Sequence, residues 1–166
     1  MPSSANHVRT LVRHPDTSSD AVRGIAASVT KLPGGVLALN YVIEGDLDSL
    51  RIPAPRPPAP GERLWQHTCC EVFIARKEVS AYHEFNFAPT GEWAAYAFAR
   101  YREGAPLVDA ALDPRIAVHQ TRERLELDAF IPLALLSPEY ADAELRLALA
   151  AVIEDAAGVL SYWALR

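Results

Sequence analysis

Between His67 and Arg102 the chain reads HTCCEVFIARKEVSAYHEFNFAPTGEWAAYAFARYR, and this stretch decides the fold. Three runs rich in aromatic and β-branched residues are separated by Arg76 to Val79 and by Pro89-Thr90-Gly91, a pattern that predicts three strands joined by two hairpins. Side chains alternate across a strand, so the placement of each turn fixes which of them meet. If Ala75 and Ser80 close the first hairpin, Cys70 lies opposite Phe85, Val72 opposite His83 and Ile74 opposite Ala81, all on one largely apolar face. The reverse face then sets Glu71 directly opposite Glu84, Cys69 opposite Asn86 and Phe73 opposite Tyr82. The tight Pro89-Thr90-Gly91 loop brings Trp93 opposite Phe87 and Ala95 opposite Phe85 in the interior, with Tyr96 beside Glu84 and Phe98 beside Tyr82 outside. A shift of one residue would press Glu92 against Phe87 in the core, which excludes that register.

The outer face is therefore expected to gather Glu71, Glu84, Asn86, Tyr82, Tyr96 and Phe98. Two carboxylates across a ladder repel, so a proton, a cation, an arginine or a polyol hydroxyl is expected between them. Either the pair ties the sheet to a neighbouring loop, or it meets a ligand. Carboxylate pairs roughly 5 to 9 Å apart also serve glycoside hydrolysis, but neighbouring ladder positions lack the substrate cleft that such chemistry needs.

The same rhythm extends outward from this stretch. Candidate strands run approximately from His7 to Arg13, Ala21 to Lys31, Val36 to Glu44, Thr68 to Ala75, Ala81 to Ala88, Glu92 to Tyr101, Ile116 to Gln120, Glu123 to Phe130, Glu144 to Glu154 and Val159 to Leu165. A short helical turn fits Pro132 to Leu136. Leu125, Leu127 and Ala129 alternate with Arg124, Glu126 and Asp128, as half-buried antiparallel strands do. About ten strands with almost no helix can hide their apolar faces only against each other, so an all-β antiparallel β-sandwich is expected. At 166 residues, residues 1–166 make one domain. The segment Pro53 to Gly61 holds five prolines and is expected to be a stiff surface loop.

Composition excludes several classes. Half of the residues are hydrophobic, ample for a core, while a net charge of -5 gives no basic footprint for nucleic acid. No apolar run approaches the ~18 residues of a membrane span, and MPSSANHVRT has no secretory hydrophobic segment, so no membrane and a cytoplasmic location are expected. Cys69 and Cys70 are adjacent, point to opposite faces and are expected to be buried reduced thiols rather than a disulfide or a zinc site. Nucleophile-elbow, phosphate-loop, HExxH and dinucleotide motifs are absent, and no enzyme is expected.

The segments LWQHTCCEVFIA and YHEFNFAPTGEWAAY together resemble the DOMON-like superfamily, which groups family 9 carbohydrate-binding modules with sugar-binding and haem-binding relatives. The shared elements are Trp65, Glu71 with Phe73, Tyr82 to Phe87, Pro89 with Gly91, and Trp93 with Tyr96; about 40 residues carry the resemblance. It is most like the bacterial soluble DOMON-like proteins. The resemblance implies a β-sandwich that holds its ligand on one sheet without catalytic residues. In the carbohydrate-binding relatives two tryptophans clamp a sugar ring, and Trp65 and Trp163 occupy comparable places. The haem-binding branch uses Met and His ligands, whereas the only methionine here is Met1, which leaves His67 and His83 as weak candidates.

The leading expectation is a non-catalytic module for a carbohydrate or small polyol, with ligand-binding residues Trp65, Glu71, Glu84, Asn86, Tyr96 and Trp163, and no cofactor or metal. The alternative is a structural or protein-interaction β-sandwich domain without small-molecule binding, in which Tyr82, Tyr96 and Phe98 contribute to a partner interface. Haem binding is a minor alternative.

Overall fold

The computed structural model describes residues 7–107 and 110–165; Met1 and Arg166 lie outside them. The strands are β1 (His7–Arg13), β2 (Val22–Leu32), β3 (Val36–Gly45), β4 (Ala59–Pro60), β5 (Cys69–Arg76), β6 (Tyr82–Phe87), β7 (Glu92–Arg100), β8 (Glu103–Pro106), β9 (Arg115–Gln120), β10 (Arg124–Pro132), β11 (Leu145–Glu154) and β12 (Leu160–Ala164). One helical turn, α1 (Leu133–Leu136), follows β10. No helix among the described residues is long and apolar enough to cross a membrane.

The protein is all-β, but its strands do not form two separate antiparallel sheets. They follow one hydrogen-bonded path, β4-β7-β6-β5-β11-β12-β1-β2-β3-β10-β9, with β8 beside β7, which curls into a half-barrel. β1 makes the join: His7 to Leu11 pair with β2, while Val12 and Arg13 pair with β12. The sheet is also mixed, because Ala59 and Pro60 run parallel to Glu92 and Trp93. The proline-rich segment is thus more than a surface loop; Arg56 N donates to Thr90 O and Gly61 N to Trp93 O, both at 2.8 Å. A sheet edge tolerates proline because the missing N–H need not face a neighbour.

The two limbs of the curl share one core. Ile25, Leu39, Tyr41, Ile43, Leu125 and Leu127 on one side meet Val72, Ile74, Phe85, Phe87, Leu149 and Ala151 on the other. Each of the valine, leucine, isoleucine and phenylalanine side chains contributes about 1.5–3 kcal/mol when fully buried. Tyr41, with no exposed surface, spans the core and donates its hydroxyl to the Glu71 carbonyl at 2.7 Å.

The central meander forms as predicted, with one shift. The β6–β7 hairpin has the expected register, Phe87 opposite Trp93, Glu84 opposite Tyr96 and Tyr82 opposite Phe98, and Gly91 turns the chain with φ of 92°. The β5–β6 hairpin slips by two residues, so Cys70 faces Phe87, Glu71 faces Asn86 and Phe73 faces Glu84. Its connection is longer because Val79 N bonds Arg76 O and Glu78 adopts φ of 64°, leaving Ser80 and Ala81 outside the ladder. An even slip changes partners without changing faces. The short strand β8 was hidden in Glu-Gly-Ala-Pro, a sequence of low strand propensity that pairs only because a turn through Arg102 folds it back on β7.

Candidate functional site

Pairing across β12, β11, β5, β6, β7 and β8 sets the outer face in rows. One row runs Ala164, Ala150, Glu71, Asn86 and Ala94, and the next runs Ala148, Phe73, Glu84, Tyr96 and Pro106. A third begins Tyr162, Val152 and Cys69. Alanines keep much of this surface low, so the acids and rings stand above it.

The segment from Gly61 to His67 lies over one side of the face. Leu64 packs on Cys69, Ala88, Ala94 and Val152, forming a small second core outside the main one. Its neighbour Trp65 remains 42% exposed and meets Tyr96 edge-on, with ring centroids 6.0 Å apart. A cleft of about 330 Å³ opens between this segment and Tyr96, Pro106 and Leu107. A second of about 340 Å³, lined by Val12, Glu71, Ala150 and Tyr162 among others, lies over β11 and β12. Tyr82 and Phe98 stack at 4.6 Å farther along the face.

Glu71 and Glu84 share this face as diagonal neighbours, not as the directly opposed pair expected from the sequence. Burial raises both carboxyls. Glu84 is pushed to about 7, first by burial and then by the charge of Glu71. Glu71 is raised by burial and partly drawn back by the Cys69 thiol, which donates to its Oε1 at 3.7 Å. The Tyr96 hydroxyl is raised as well, chiefly by burial and then by Glu84. Near neutrality Glu84 is divided between its protonated and ionised forms, so the face offers a carboxyl donor as well as carboxyl acceptors. An alcohol, which both donates and accepts, is complementary to that combination.

Two site residues expected from the sequence occupy other roles. Asn86 faces the right way but is fully buried, and with its amide oriented toward acceptors it donates to Glu84 Oε1 at 3.3 Å and Phe85 O at 3.2 Å. It steadies Glu84 and is closed to solvent. Trp163 belongs to the main core, 8% exposed, with its indole N–H donating to Ser161 Oγ at 2.9 Å. The two-indole clamp is therefore not formed. The aromatic that β12 does present beside Glu71 is Tyr162, 46% exposed. Strand parity carried the missed signal: Leu145, Leu147 and Leu149 fix the inner face of β11, which makes Val152, and so Tyr162 opposite it, outward.

The histidines are engaged elsewhere. His83 Nδ1 lies 2.8 Å from the Tyr140 hydroxyl, and burial lowers its basicity. His67 Nδ1 lies 3.2 Å from both oxygens of the buried Glu154 carboxylate. That contact borders a larger cleft of about 620 Å³ near Arg51, Arg56 and Glu92, where charges pair with one another, Arg56 to Glu92 at 3.8 Å. Cys69 and Cys70 are buried free thiols, one in each core, and burial raises both. No group of three or more metal-ligating side chains occurs among the described residues.

No family model matches the chain, and no curated protein matches it. Among solved structures, the crystal structure of a "putative carbohydrate-binding protein" from Bacteroides uniformis ATCC 8492 is similar, with a TM-score of 0.68. The likeness covers 97% of this chain and 78% of that one at 14% sequence identity, a likeness of fold alone.

Proposed function

We propose that the chain is a non-catalytic binding module for a carbohydrate or small polyol, held on the outer face of β5, β6, β7, β11 and β12. In this reading the half-barrel is a DOMON-like variant of the β-sandwich, closed through β1. The observation that carries the proposal is an exposed indole, Trp65, set against Tyr96 on the face that also presents Glu71 and Glu84. An indole suits the polarised C–H groups of a sugar ring, and the two carboxyls suit its hydroxyls. The fold-level likeness to a protein described as carbohydrate-binding adds weak support.

The buried Trp163 favours a second reading, a protein-interaction domain that uses Trp65, Tyr82 and Phe98 as partner contacts, because one indole holds a sugar less firmly than two. A thermal-shift screen against a broad glycan and polyol panel separates the two. The first reading expects at least one sugar to raise Tm, with the rise lost in Trp65→Ala and reduced in Glu71→Gln. No shift with any panel member, or a shift that survives Trp65→Ala, overturns it.

A further inference from the structure

Beyond the end of β12 the curled sheet is split between β1 and β11, leaving an opening of about 450 Å³ into the interior. Its cause is topological. Among the described residues β12 pairs with Ala150 to Glu154 of β11 and with Val12 and Arg13 of β1, and Leu145 to Ala148 and His7 to Leu11 have no ladder partner toward the split. The floor is apolar, formed by Val29, Leu37, Leu145, Leu147, Leu149 and Leu165.

The rim carries Arg9 and Lys31 together with His7, and strand parity makes that unusual. His7 and Arg9 stand on the same face as Leu11, Ile25 and Ala27, the core face, while Val8 is turned outward and is 65% exposed. Lys31 shares the core-face parity of Val29 and pairs with the buried Leu37. A half-buried strand ordinarily carries apolar residues inward and polar ones outward. Here Arg9, Lys31 and His7 occupy core-facing positions at one mouth in a chain of net charge -5, and no acid among the described residues lines the opening. None of the three is in an ion pair among the described residues; Lys31 Nζ donates only to the carbonyls of Tyr140 and Ala143, at 3.1 and 3.2 Å, which leaves its charge unneutralised.

We propose that this slot binds a small amphiphilic anion, a single negative head with an unbranched apolar tail, the head met by Arg9, His7 and Lys31 and the tail lying on the leucines beneath. The volume is within the ~300–1,000 Å³ of ordinary ligand pockets, and such pockets pair an apolar lining with a few placed polar groups. Each tail methylene removed from water adds affinity, while the cations select the sign of the head. The site is separate from the face that carries Trp65 and stands independently of the carbohydrate reading.

Titration calorimetry with sodium decanoate, 1-decanol and decyltrimethylammonium, each below its aggregation limit, tests the assignment. Decanoate is expected to bind one per chain, and more tightly than either the neutral or the cationic analogue. Arg9 is exposed and in no ion pair among the described residues, so Arg9→Glu is expected to leave the unliganded melting temperature unchanged and to weaken decanoate by about tenfold or more, without weakening decanol. Leu147→Arg provides a second variant that blocks the floor. The proposal is overturned by no decanoate binding, in which case the inward cations serve only to protect the open strand edges. Equal binding of all three probes, or decanoate affinity unchanged in Arg9→Glu, overturns it equally.

Discussion

Replacing Glu84 by Gln removes a carboxyl that the fold holds protonated far above its ordinary range, and the consequence should appear as a pH-dependent gain in stability. Burial and the charge of Glu71 raise Glu84 from 4.5 to about 7. The unfolded chain releases this proton near pH 4.5 and the folded one near 7, so between those values the native state binds more protons. The stability that protonated Glu84 contributes is complete below pH 4.5 and is lost as pH rises through 7. At 1.36 kcal/mol for each pH unit the full effect is roughly 3 kcal/mol, and because Glu84 is only half-buried and screened by solvent, about 1.5 kcal/mol is expected. Glutamine keeps the size and an oxygen that can accept from the Asn86 amide.

Urea unfolding of both proteins at intervals from pH 4.5 to 8 measures the difference directly. His83, whose basicity burial lowers, acts in the opposite direction and cancels in that difference. Glu84→Gln is expected to match the parent near pH 4.5 and to exceed it by about 1.5 kcal/mol at pH 8. A difference that stays constant across the range would refute the argument that burial on this face sets the carboxyl. So would a variant that loses stability at pH 8.

Two further substitutions test the packing. Trp163→Ala should cost about 3–5 kcal/mol in denaturant melts, as large core aromatics do, and Trp65→Ala clearly less; the reverse order would mean that the faces of β12 are misassigned. Tyr41→Phe removes the buried hydroxyl that bonds the Glu71 carbonyl across the core and should cost about 1 kcal/mol by the same assay, while an unchanged midpoint would mean the bond contributes nothing.

Much of the fold was legible in the sequence because alternation is a local signal. The ten expected strands all form within a residue or two of their expected bounds, and the outer placement of Glu71, Glu84, Tyr82, Tyr96 and Phe98 follows from parity alone. The register of the first hairpin was not legible, since a turn through Glu78 with positive φ has no sequence signature as clear as Pro89-Thr90-Gly91. Motif spacing also misled at Trp163, where comparable position in the chain said nothing of which face the residue takes.

The sequence by itself determined that this chain is all-β and which residues share a face within each strand, because period-two patterning is written residue by residue. Only the tertiary structure decided that β1 joins the two limbs into one curled sheet, that Leu64 closes a small second core over Cys69, Ala88, Ala94 and Val152, and that a split beside β1 opens the core next to His7, Arg9 and Lys31. Those features depend on which distant strands pair and where their pairing stops, and long-range pairing leaves no periodic trace in the chain.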